Sequence, residues 1–184
     1  MKITGKKTIL RDKCLDDAHD DYRWETDPEL AELDATRPVK TSFFRYRLDF
    51  ADELRLPVST SRRFAVDTLD GKHIGNCAYY NINERHHETE LGIMIGERDY
   101  WDKGYGEDVV ATLVDHIFGE TRLDRVYLKT LANNYRAQTC FKRAGFKPYV
   151  RMIRDGYDFL FMEIRRREWK QRNGEDQSAG EAAR

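Results

Sequence analysis

The hydrophobic period changes along the chain, and the changes divide it into elements. Over Glu90 to Gly96 residues alternate, with Leu91, Ile93 and Ile95 on one face and Gly92, Met94 and Gly96 on the other, which predicts a strand. Further on, Val109, Val110, Leu113, Val114, Ile117 and Phe118 recur at helical spacing. A turn and a glycine loop, Asp102-Lys103-Gly104-Tyr105-Gly106, join the two. Lys7 to Lys13 reads as an earlier strand, and Cys14 to Asp34 as helix broken near Pro28. Thr41 to Leu54 is amphipathic, and its Phe43, Phe44, Tyr46 and Phe50 are expected in the core or a substrate pocket.

Arg63 to Leu69 and Lys72 to Ile82 are strands around an Asp70-Gly71 hairpin turn, and a polar turn at 83–87 leads into the Glu90 strand. Arg125 to Leu131 follows the long helix and must return by a crossover, so it is expected parallel to the Glu90 strand. Asn133 to Ala144 is a second helix ended by Gly145; Tyr149 to Ile153 and Asp158 to Ile164 form a last hairpin around Asp155-Gly156. From Asn173 to Arg184 apolar residues thin out, so a structureless tail is expected after a single domain over residues 1–172.

Composition narrows the setting. At 184 residues and 21.8 kDa the chain can bury a sizeable core as one domain. A net charge of −1 gives no basic field for nucleic acid. With 35% charged residues and a mean hydropathy of −0.80, no apolar run reaches membrane-spanning length, and no membrane partner is expected. The opening MKITGKKTILRDK lacks an apolar signal core, and Cys14, Cys77 and Cys140 are odd in number and widely spaced; the cytoplasm is the expected compartment. No CxxC pair is present, and the adjacent His86 and His87 would point to opposite faces of a strand, so no metal site is expected. Nine acidic residues between Asp16 and Asp34 face Arg23 alone, which reads as a solvated helix face or as an acidic rim for a cationic acceptor. Arg165, Arg166, Arg167, Lys170 and Arg172 read as solvated, with a weak RNA or ribosome contact as the alternative.

Strand, glycine loop and helix make an anion-binding arrangement. The first N–H groups of a helix have no partner within it, and the helix dipole adds partial positive charge there. Gly104 and Gly106 allow a sharp turn and close approach, and Lys103 adds a full charge, so a phosphate or pyrophosphate suits the loop; a turn that binds nothing is the other reading. A Rossmann fingerprint would need a small residue in place of Val109, and a P-loop would need Gly-Lys-Ser/Thr.

Three segments together resemble the GNAT superfamily of N-acetyltransferases, in particular its RimJ/RimL-like branch. They are GKHIGNCAYYNINERHHETELGIMIG, DYWDKGYGEDVV and NNYRAQTCFKRAGF, and the likeness runs from Lys7 to about Trp169. The resemblance implies a mixed α/β fold with a mostly antiparallel sheet of six to seven strands, a splayed parallel central pair and flanking helices. It implies acetyl-CoA, with pantetheine along Ile93, Met94 and Ile95 and pyrophosphate on the loop Trp101, Asp102, Lys103, Gly104, Tyr105 and Gly106. Asn134, Ala137 and Phe141 on the second helix would complete the cofactor site, and Arg98, Arg136 or Lys142 would reach the remaining phosphate. Trp101 replaces the family's usual polar residue, and Asp102 brings a carboxylate beside the expected phosphates.

Acetyl transfer to an amine needs a base, an oxyanion donor and a leaving thiolate. The resemblance points to Glu90 as base, with a salt-bridged strand residue as its alternative role and Glu88 and His87 as nearby candidates. The backbone N–H near Met94 would serve the oxyanion. Many family members carry an acidic tyrosine where Phe141 stands; Cys140, Tyr135 and Tyr149 are the nearby substitutes, and transfer without an acid is the alternative. The implied activity is acetylation of a primary amine on a protein N-terminus, polyamine, amino sugar or amino acid, by a monomer or homodimer. A non-catalytic acyl-CoA-binding or regulatory module is the competing reading, resting on Phe141 and Asp102.

Overall fold

The computed structural model describes residues 1–56 and 58–182. In chain order the elements are β1 (Lys2–Thr4), β2 (Thr8–Asp12), α1 (Ala18–Glu25), α2 (Pro28–Leu33), α3 (Phe43–Arg55), β3 (Ser61–Thr68), β4 (His73–Asn83), β5 (Glu88–Ile95), α4 (Tyr105–Glu120), β6 (Arg125–Leu131), α5 (Tyr135–Arg143), β7 (Lys147–Arg154), β8 (Tyr157–Arg165) and α6 (Arg166–Ala182). Among the described residues one sheet forms, in the order β1-β2-β3-β4-β5-β6-β8-β7. It has eight strands where six to seven are expected. The additional one is β1, whose three residues are too few for a periodic signal and which is held by pairing with Leu10 and its neighbours.

Every neighbouring pair is antiparallel except β5 and β6, which are parallel as the crossover requires. Their pairing is short. It covers Glu88↔Arg125, Thr89↔Val126 and Glu90↔Tyr127, while β5 runs on to Ile95 beside β4 and β6 runs on to Leu131 beside β8. The two strands therefore part after Glu90, leaving backbone of Gly92 to Ile95 without a β6 neighbour. The apolar stripe of α4 seals the sheet below this split: Val109, Val110, Leu113 and Ile117 are fully buried with Leu10, Val66, Ile74 and Val126.

Close approach of β4 to β5 depends on Gly75. A Cβ there would overlap the Met94 carbonyl oxygen, which belongs to backbone and cannot rotate aside. Gly75→Ala should therefore cost about 3 kcal/mol by overpacking and lower Tm by roughly 10 °C. A thermal unfolding curve matching the wild type would refute this packing account.

Three expectations change. The acidic run between Asp16 and Asp34 is not uniformly a solvated face. Asp17 and Asp21 are buried; Asp17 receives Arg11 at 2.7 Å, and Asp21 pairs with Lys13 and accepts from Asn76 at 2.7 Å. These partners lie on β2, just after it and on β4, beyond the reach of a local charge count. The basic run is not uniformly solvated either, because Arg166 donates to the carbonyls of Phe118, Thr121 and Leu123 at the end of α4. Finally, α6 continues as helix through Asn173, where structureless chain is expected. Trp169 anchors its first turns by packing 5.5 Å from Phe118 and donating to Asp115 at 2.5 Å.

Candidate active site

A cavity of about 520 Å³ opens where β5 and β6 part. Ile93, Met94 and Ile95 form one wall, and Asn134, Tyr135, Ala137, Cys140 and Phe141 of α5 the opposite one. Trp101, Asp102, Gly104 and Gly106 line its far end. Lys103 and Tyr105 lie outside the lining; Tyr105 instead packs edge-on against Tyr100 at 4.9 Å.

Local geometry explains the loop. Asp102 and Gly104 are left-handed, with φ of 56° and 80°. The first α4 hydrogen bond runs from Asp108 N–H to Gly104 O, so the preceding N–H groups have no partner in the helix. Trp101 donates its indole N–H to Ile95 O at 2.7 Å, pinning the loop to β5; this is what the tryptophan supplies in place of a polar residue. The Arg136 guanidinium stacks 3.6 Å from the centre of the Trp101 ring. From outside, Lys7 Nζ donates to Lys103 O at 2.8 Å. Asp108 in turn accepts from the N–H groups of Lys6, Lys7 and Thr8 and from Thr8 Oγ1, at 2.6–2.9 Å.

On α5, Asn134 Oδ1 accepts from Ala137 N–H at 3.1 Å and caps the helix, so only its amide NH₂ remains free of that role. Burial pushes the Cys140 thiol up to about 11, and a Cβ on Gly106 would stand 3.3 Å from its sulfur. Tyr135 is 73% exposed, on the cavity rim. Of the three bases expected near a phosphate, Arg98 is engaged by Asp27 at 2.9 Å and Glu29 at 2.6 Å, and Lys142 is outside the lining. Arg136 lines the cavity, together with Arg143, which sequence reasoning does not single out.

A smaller chamber of about 100 Å³ continues the cleft toward the split and shares Leu33, Asp34, Ile93 and Phe141 with the larger one. Glu90 lines neither. It is 6% exposed: Tyr80 donates to Oε1 at 3.2 Å, Asn81 to Oε2 at 3.0 Å, and Lys129 Nζ stands 3.6 Å from Oε1. Glu88 pairs with Arg125 at 2.6 Å, a structural use of that carboxylate. Asp34, at the end of α2, lines both chambers. Its surface is exposed, yet enough protein surrounds it to desolvate the carboxyl. That crowding pushes its carboxyl up to about 6; Lys129 opposes the rise and Glu25 adds to it. Sequence reasoning counts Asp34 only as one of nine acids, because nothing local to the chain shows that α2 folds over a cleft between β5 and α5. The α3 aromatics line neither chamber; Phe50 is buried and Phe44 is 76% exposed.

The family model for the acetyltransferase (GNAT) domain matches residues 7–147. The chain belongs to the GNAT acetyltransferase family. An uncharacterized N-acetyltransferase, p20, of Bacillus licheniformis is 25% identical over 130 residues, covering 70% of this chain and 72% of that protein. Among solved structures, a spermidine N-acetyltransferase from Vibrio cholerae in complex with CoA and spermine matches with a TM-score of 0.79 at 19% identity, covering 88% of this chain and 97% of that one. An aminoglycoside acetyltransferase in complex with coenzyme A matches with a TM-score of 0.74 at 17% identity, covering 89% and 98%. At such identities these two likenesses speak to the fold.

As a GNAT protein the chain is an N-acetyltransferase, and its acetyl donor is acetyl-CoA. The residues present fit that donor. Gly104 makes the left-handed turn into α4, Gly106 puts no Cβ beside Cys140 and Ile95, Arg136 and Arg143 bring positive charge to the same end, and Gly92 to Ile95 offer strand backbone that β6 does not use. Among the described residues no helix is long and apolar enough to cross a membrane.

Proposed function

We propose that this enzyme acetylates a primary amine on a small cationic acceptor, of the polyamine or amino-sugar kind, in preference to a protein N-terminus, and that it belongs to the RimJ/RimL-like branch of the family. The motif triplet supports the branch. The acceptor reading is carried by Asp34, the one carboxylate that lines both chambers, where it attracts an ammonium. The neighbouring protein names, a spermidine and an aminoglycoside acetyltransferase, point the same way.

Roles follow from the positions. Backbone N–H groups of the loop over Gly104 to Gly106 hold the pyrophosphate, with Arg136 and Arg143 nearby. Gly92 to Ile95 receive the pantetheine, and the N–H near Met94 serves the oxyanion. Cys140 is wall: a thiol that titrates near 11 keeps its proton against a coenzyme A thiolate. Phe141, 6% exposed, completes that wall, and release of the thiolate proceeds without a protein acid.

The test is release of free thiol from acetyl-CoA across a panel of spermidine, aminoglycosides, amino acids and peptides. Turnover concentrated in the polycationic small molecules is expected. Turnover confined to peptides would overturn the acceptor class.

A further inference from the structure

Glu90 stands where the resemblance expects the base, yet both of its oxygens are occupied. Tyr80 and Lys129 face Oε1, Asn81 donates to Oε2, and the residue lines neither chamber. Burial and the nearby Glu90 carboxylate push the Tyr80 phenol up, so it remains a donor to Glu90 and is no base itself. A different carboxylate, Asp34, lines both chambers.

We propose that Asp34 is the residue that receives the acceptor ammonium and removes its proton. This rests on the amine-acetylation reading above and names the catalytic base for it. Asp34 closes α2: its N–H donates to Leu30 O at 3.0 Å, and Thr36 N–H returns to Ala31 O at 2.8 Å. Ala35 between them is left-handed at φ 53°, a conformation that costs an L-residue energy and that turns the chain back sharply at this point. The side chain is thereby held at the junction common to both chambers, opposite Ile93 on β5 and Asn134 and Phe141 at α5.

The groups that act on Asp34 come from three elements. Lys129 on β6 favours its charged form, Glu25 on α1 opposes it, and Tyr80 on β4 shares the smaller chamber. Lys129 is divided between Asp34 and Glu90, so Glu90 acts as a positioning residue: it anchors the ammonium of Lys129 and limits how far that charge neutralises Asp34.

The step balances as follows. The ammonium passes one proton to the Asp34 carboxylate, and the freed lone pair forms the C–N bond to the acetyl carbon. The C–S bond breaks with its electron pair leaving on the coenzyme A sulfur. The nitrogen's surplus proton passes to that sulfur, giving amide and thiol, and Asp34 returns its proton to solvent. A carboxyl titrating near 6 is ionised at neutral pH and a stronger base than an ordinary aspartate.

Two readouts test this, one independent of turnover. In the protein without acetyl-CoA, ¹³C-labelled aspartate carboxyls should include one that titrates near pH 6 and is missing from Asp34→Asn. Spermidine should move that titration to lower pH, because an adjacent ammonium stabilises the carboxylate. An Asp34 signal that spermidine leaves in place overturns the proposal.

With saturating acetyl-CoA, wild-type kcat/KM for spermidine should fall as pH drops through about 6, as Asp34 of the amine-free enzyme protonates, and kcat should fall at a lower pH because the bound ammonium stabilises the carboxylate. Asp34→Asn should lower the plateau by about 100-fold and lose this limb. Glu90→Gln should keep the limb whatever its plateau. A limb that survives in Asp34→Asn, or vanishes in Glu90→Gln, overturns the assignment. If the wild type releases thiol with no amine at all, the acceptor reading fails, and the carboxyl titration still decides whether Asp34 meets an ammonium.

Discussion

Gly104→Val should weaken acetyl-CoA binding by about tenfold to a hundredfold. The reason differs from the close-approach argument that the glycine pattern suggests. A Cβ at Gly104 would sit 3.4 Å from Lys7 Nζ, an ordinary contact with the end of a flexible chain. The constraint is instead the backbone, which is left-handed at φ 80°. An L-residue pays about 1–2 kcal/mol there, and a β-branched one more, where about 1.4 kcal/mol is a factor of ten. Valine relieves that strain by leaving the left-handed region, which rotates the N–H groups of Tyr105 and Gly106 away from their common focus. Asparagine tolerates the conformation, so Gly104→Asn should lose only a few-fold. Calorimetric titration with acetyl-CoA separates the two accounts. Equal losses for Val and Asn would favour crowding, and wild-type affinity in Gly104→Val would remove the loop from the binding site.

The same contrast between local and distant causes runs through the whole chain. The Asp70-Gly71 turn, the α4 stripe and the crossover to β6 were legible because each is set within a few residues or by a general rule of chain handedness. The splay was legible only through the resemblance: its cause is that β6 stays with β8 for seven pairs while β5 stays with β4, and no residue in either strand announces it. Asp34 and Arg143 were not singled out for the same reason, since both join the cavity lining only when α2 and α5 close over the gap. Trp101 and Asp102 looked like departures from a pattern. In the folded chain the indole takes over the tethering, and Asp102 supplies one of the two left-handed residues of the turn. β1 and the far half of α6 lacked any apolar period to read.

Asp108 shows most sharply what local pattern hides, because in sequence it is one more acid in the first turn of a helix. In the structure its two oxygens accept from three consecutive backbone N–H groups, Lys6, Lys7 and Thr8, and from the hydroxyl of Thr8, which is fully buried. Hydrogen bonds to a charged acceptor contribute about 1.5–3 kcal/mol each when measured singly, and donors stranded without a partner add their desolvation cost. These bonds are not additive, so Asp108→Ala should destabilise by about 3–4 kcal/mol and lower Tm by roughly 10 °C. Asp108→Asn tests the cause. Its shape is conserved, but the amide has one accepting oxygen: turned toward Lys7 N–H, Thr8 N–H and Thr8 Oγ1, it leaves the NH₂ facing Lys6 N–H, donor against donor. It should therefore lose about 1–2 kcal/mol, less than alanine, whereas a mere packing role would leave it close to wild type. The defect should also reach the cofactor site. Lys7 bridges this network to Lys103 O, so a loosened start of β2 frees the glycine loop, and acetyl-CoA affinity should fall by several-fold at temperatures where the fold persists. Urea unfolding combined with acetyl-CoA titration measures both. Stability within 1 kcal/mol of wild type in both variants would show that water satisfies these donors and that Asp108 is no clamp.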